Sequence, residues 1–209
     1  MAAAFSFAAL EPALISAATS TQFTVTQTVT SEVAFSTPAS NVTLSPSIGG
    51  LTGGTGNGGT QVVVSTNDHL GYSMTLTASS SLGMIGNTNP SNTIPAYVPA
   101  ATNVPDFTFT TPVNRARFGY SVEASTTGDL VQAFKDDGAN CNAGAGDTAN
   151  ACWLNASTTA FTIVNRSTAT SASGATTTIK FRVVVNPNPV PSIPDDAYVA
   201  TTTLTASAN

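Results

Sequence analysis

The chain has 209 residues, 41% of them hydrophobic and only 8% charged, and carries a formal net charge of −5. Its six basic residues are scattered and outnumbered by eleven acidic ones, which excludes the clustered Lys and Arg that phosphate binding needs. Neither nucleic acid nor an anionic membrane surface is therefore an expected partner.

Thr, Ser, Asn and Gly stand where most chains carry charge. Such a surface is wetted by hydroxyls and amides, which suits a protein outside the cell. The β-branched threonines fit pleated, half-wet sheets. Disorder is not expected, because the apolar residues are plentiful and regularly placed.

In chain order, the first feature is the apolar run MAAAFSFAALEPALISA. It resembles the apolar half of a secretory signal ending in small residues, with cleavage near Ala17. It lacks a basic flank, since the first Lys or Arg is Arg115, and Glu11 and Pro12 interrupt it. The alternative is an apolar element retained and buried between subunits. It is too short to span a membrane as a helix. Residues 1–20 are expected to form this separate segment, and residues 21–209 a single β-domain.

The longest alternation in the sequence runs from Phe23 to Phe35. Phe23, Val25, Val29, Val33 and Phe35 point one way, and Thr24, Thr26, Thr28, Thr30 and Glu32 the other. A short strand is expected over Val42–Leu44, then a Gly-rich turn in SPSIGGLTGGTGNGG, then a strand over Gln61–Thr66. Tyr72, Met74, Leu76 and Ala78 alternate with Ser73, Thr75 and Thr77. Residues 79–105 hold Ser, Asn, Gly and several prolines and read as a long surface excursion. Strands are then expected around Phe107–Phe109, Phe118–Val122, from Phe161, over Ile179–Val185 and over Tyr198–Ala206. One helical turn is expected at Asp129–Lys135. About nine strands with little helix imply an all-β antiparallel sandwich or jelly roll, Ig-like or pilin-like.

Cys141 and Cys152 bracket a flexible loop, CNAGAGDTANAC. The spacing is too long for a redox CxxC and offers too few ligands for zinc. A disulfide between them is expected, which places the protein in an oxidising compartment. Two free, buried thiols are the alternative.

No catalytic constellation is legible. The single histidine, His69, sits in the turn TNDHLG, and there is no GxSxG or HExxH. Asp136–Asp137 and Asp195–Asp196 are adjacent pairs whose side chains diverge on a strand. Asp136, Asp137, Asn140, Asn142 and Asp147 offer oxygen ligands for calcium in a Gly-rich loop, without EF-hand spacing. The competing reading is a disulfide-pinned polar loop, and no cofactor is expected. Asn41, Asn155 and Asn165 lie in glycosylation sequons. Lys180 alternates with Ile179 and Phe181, so it is expected to face solvent, and a Lys–Asn amide staple is not expected.

The Phe23–Phe35 alternation, VVVSTNDHLGYSMTLTAS and the closing IPDDAYVATTTLTASAN together resemble pilin-type and TasA-like extracellular β-sandwich subunits. In such filaments an N-terminal strand completes the sandwich of the next subunit. The resemblance implies a non-enzymatic filament subunit at the cell surface whose main partner is its own copies. In that role Phe23, Val25, Val29, Val33 and Phe35 would form the assembly strand. The alternatives are an adhesin or carbohydrate-binding module with a surface glycan as ligand, and a surface-layer or coat protein.

Overall fold

The structure, a computed structural model, describes residues 19–209. The apolar run before residue 19, with its expected cleavage near Ala17 or burial between subunits, lies outside the described residues. The chain divides into two units, one up to Thr30 and one from Ser31 to Asn209.

In the first unit the described residues form no strand, and all are exposed. The strand expected over Phe23–Phe35 is therefore present only at its end, where β1 covers Val33–Thr37. Alternation fits a segment to line a sheet, but a ladder also needs a second backbone beside it.

The second unit carries ten strands and almost no helix. After β1 come β2 (Gly54–Thr66), β3 (Tyr72–Ala78), β4 (Met84–Gly86), β5 (Thr93–Ile94) and β6 (Ala116–Ala124). They are followed by β7 (Phe161–Arg166), β8 (Ala175–Val185), β9 (Tyr198–Val199) and β10 (Thr202–Ala208). Two 3-10 turns, Thr127–Asp129 and Gln132–Phe134, stand where a helical turn was expected. The strands build a four-stranded sheet ordered β1-β2-β8-β6, a three-stranded sheet β10-β3-β7 and a small sheet β5-β4-β9. Every pairing between them is antiparallel. This is the all-β, sandwich-like fold the alternation implied.

Strict alternation of buried and half-buried residues along β3 and β8 fixes which side chains enter the core. Tyr72, Met74 and Leu76 from β3 join Val62 and Val64 from β2 and Ile179 and Val183 from β8 in one buried cluster. Each such side chain contributes about 1.5–3 kcal/mol of transfer free energy.

Three expectations are corrected. The stretch Gly54–Gly59 is not a turn but the first half of β2, because β8 offers it a continuous partner from Gly54↔Val185 onward. Val42–Leu44 forms no ladder; only a bridge at Ser45↔Asn57 follows it. Phe107 and Phe109 are likewise outside any strand.

Candidate functional site

β1 is an edge of the four-stranded sheet and β10 an edge of the three-stranded one, and the two lie close together. β1 ends at Thr37, and the chain then runs on beside β2, tied by the Ser40 N–H to Thr60 Oγ1 at 2.9 Å. Between this segment and Tyr198–Leu204 opens a groove of about 360 Å³. Val42 and Leu44 line one side and Leu204 the other, while Leu76, Phe118 and Phe181 belong to its floor. Phe118 and Phe181 stack with ring centroids 6.0 Å apart. The groove thus opens onto the sandwich's own hydrophobic cluster. Along it, β10 pairs with β3 on one side only. An edge strand of this kind offers a row of N–H and C=O groups to an incoming strand.

The expected assembly residues fall into two groups. Phe23, Val25 and Val29 are about four-fifths exposed, at 84%, 83% and 79%. Val33 and Phe35 lie in β1, half-buried and packed against the core. Val33 sits opposite Thr66 and Phe35 opposite Val64.

Cys141 and Cys152 are bonded to each other, with Cα atoms 5.6 Å apart. The loop they close is also held from inside. Asp136 is buried and accepts hydrogen bonds from the Thr148 N–H and hydroxyl, both at 2.7 Å, and from the Gly138 N–H at 2.9 Å. Desolvation opposes its ionisation, but these donors outweigh it and hold its carboxyl below the usual range. Asp137 accepts from the N–H groups of Ala139 and Asn140. Asp147 accepts from the Ala124 N–H, and burial pushes its carboxyl up. These acids each close a local turn or anchor the loop, and no metal-holding cluster of acids, His or Cys occurs among the described residues.

The aromatic residues of the loops are turned inward. Tyr97 and Trp153 are each 1% exposed. Phe109 bridges them, with centroids 4.6 Å from Tyr97 and 5.3 Å from Trp153. The Arg182 guanidinium lies 4.3 Å from the Trp153 ring centroid and donates to Asn57.

Lys180 does leave the core on the outer face of β8, as alternation requires. It is nevertheless only 25% exposed, because the loop before Cys152 covers that face. Its Nζ lies 2.6 Å from Glu123 Oε1 and 3.3 Å from Asn150 Oδ1. Strand periodicity shows the face of a side chain but not what a distant loop lays over it.

Asn41 is exposed and lines the groove, Asn165 is exposed on β7, and Asn155 is half-buried beside a second depression of about 620 Å³. His69 is exposed on its turn, with Nδ1 3.8 Å from Asp68. Asp196 accepts from the N–H groups of Thr88 and Asn89, which holds its carboxyl at about 2. No helix among the described residues is long and apolar enough to cross a membrane. No protein-family model matches the chain, and no curated protein matches it in sequence.

Proposed function

We propose that this chain is a structural subunit of an extracellular filament, joined to the next copy by strand donation. The donor is the segment from Phe23 to Val29 of one copy, and the acceptor is the groove beside β10 of its neighbour. The observation that carries this reading is an unsatisfied pair of surfaces. Phe23, Val25 and Val29 present an exposed apolar stripe, and the groove between Val42 and Leu204 opens onto the core. An alternating strand laid along β10 would satisfy its edge and fill the groove with alternate side chains. The donor segment contains no proline, so every residue can donate to a ladder. Burying the Phe23, Val25 and Val29 side chains contributes on the order of 6 kcal/mol before the cost of association. The disulfide fits assembly outside the cell.

A carbohydrate-binding role has less support, because Tyr97 and Trp153 are buried and offer no stacking platform. The test is electron microscopy of the full chain and of a variant lacking residues 1–30. The full chain forms filaments. The truncated chain stays monomeric and binds a synthetic peptide spanning residues 19–31. Filaments from the truncated chain would overturn the mechanism.

A further inference from the structure

We propose that the outer face of the four-stranded sheet carries a binding site, centred on Gly59, for a uronic acid, a sugar with a single carboxylate. Opposed residues of an antiparallel pair share a face of the sheet. On this face Asn57 stands opposite Arg182, Gly59 opposite Lys180 and Gln61 opposite Thr178. Gly59 therefore leaves a gap, with an amide side chain two residues away on either side. A depression of about 340 Å³ opens there, and Asn57, Gln61, Thr178 and Trp153 belong to its lining.

A strand interior is a poor place for glycine unless something approaches the backbone closely. At Gly58 that something is the chain itself, since Val42 and Leu44 pack against it. Gly59 points to the opposite face and is exposed. The three atoms nearest to a Cβ at this position all belong to β8, beginning with the Ile179 carbonyl oxygen at 3.1 Å and Lys180 Cγ at 3.5 Å. The space above Gly59 is open to a ligand.

The site carries one uncompensated positive charge. Lys180 is neutralised by Glu123 at 2.6 Å, whereas no carboxylate among the described residues pairs with Arg182. The Arg182 guanidinium lies 4.3 Å from the Trp153 ring centroid, and its Nε donates to Asn57 Oδ1 at 2.8 Å. Both of those neighbours line the depression, so the cation is held at its edge. Burial disfavours the charge of Arg182, and an anion beside it would offset that cost. A single positive charge matches a carboxylate better than a phosphate dianion. A bare carboxylate would leave the Asn57 and Gln61 amides and the Thr178 hydroxyl without work, and the hydroxyls of a sugar ring would engage them. Trp153 is 1% exposed and offers no ring face, so recognition falls to the ion pair and these hydrogen bonds.

The site is independent of the strand-donation reading, because Asn57, Gly59, Gln61 and Arg182 all lie outside the groove lining. Trp153 is the single tryptophan of the chain, so its fluorescence reports the site directly. The experiment titrates sodium glucuronate into the full chain at constant ionic strength, read by fluorescence and by calorimetry. The expected result is saturable binding in the millimolar range, roughly tenfold weaker or less for glucose and for acetate. Arg182→Gln should abolish it. Because that change also disturbs the Trp153 stack, Gln61→Glu serves as a second variant. Gln61 is exposed, so its new carboxylate should leave the urea midpoint in place while repelling glucuronate and weakening its binding roughly tenfold. Absence of saturation in both measurements would overturn the proposal, as would undiminished binding to Gln61→Glu. Acetate or glucose binding as tightly as glucuronate would reduce the site to an anion cradle or a neutral-sugar site and would also overturn it. Tighter binding of N-acetylglutamate amide would point to an acidic protein partner, with the same consequence.

Discussion

Gly58 of β2 stands where Val42 needs room: a Cβ at Gly58 would lie 2.6 Å from Val42 Cγ1. Leu44 Cδ2 would be 2.9 Å away, and the Thr43 carbonyl 3.2 Å. The glycines of β2 therefore let the segment after β1 lay two apolar side chains into the sandwich without a ladder of its own. The same two side chains form one wall of the groove.

Gly58→Val should consequently destabilise the protein by about 2 kcal/mol through overpacking, since one contact is with backbone and cannot give way. Urea denaturation measures this as a lower midpoint with an unchanged slope. Gln61→Val, at an exposed position of the same strand, should shift the midpoint little.

Reducing the Cys141–Cys152 bond should lower stability by roughly 2–3 kcal/mol, because it releases a short loop in the unfolded chain. The loop contains no strand, so far-ultraviolet circular dichroism should hardly change below the melting transition. A melt with and without reductant reads the difference.

The buried Asp136 makes part of the stability acid-sensitive. Its folded carboxyl titrates below its unfolded value of about 3.9, so its contribution is fully present above that value. That contribution is lost as pH falls through the folded value. Asp136→Asn, which cannot ionise, should cost about 2 kcal/mol at neutral pH and flatten the loss of stability below about pH 4. Denaturation midpoints measured across that range test both parts.

Where two periodic strands meet, the sequence was easy to read: β3 and β8 follow their alternation residue by residue. The disulfide followed from two cysteines across a flexible loop. What escaped is long-range. Gly54–Gly59 resembles a turn until β8 is laid beside it, and Phe23–Phe35 resembles a strand although most of it has no ladder within the chain. The groove could not be foreseen, because it arises where Val42 and Leu204, far apart in sequence, approach the same end of the core. The meeting of Lys180 and Asn150 was hidden for the same reason.

If assembly joins the exposed stripe of one copy to the groove of the next, two kinds of variant should fail in different ways. Val25→Asp with Val29→Asp spoils the donor, since a carboxylate carried into an apolar groove loses its hydration without gaining a partner. Both residues are exposed in the single chain, so the fold itself should be unaffected. Ala39→Arg spoils the acceptor, because Ala39 is exposed on the groove wall and the longer side chain would lie across the opening. Each variant alone should remain monomeric. Mixed, they should form a one-to-one dimer and stop there, because the donor-defective copy still has an open groove and the acceptor-defective copy still has an intact strand. The dimer then has neither a free working strand nor a free working groove, so it cannot grow. Size-exclusion chromatography with light scattering distinguishes the outcomes. Dimers on mixing match a head-to-tail, heterologous contact. Monomers on mixing, or filaments from either variant alone, would show that the stripe and the groove are not partners.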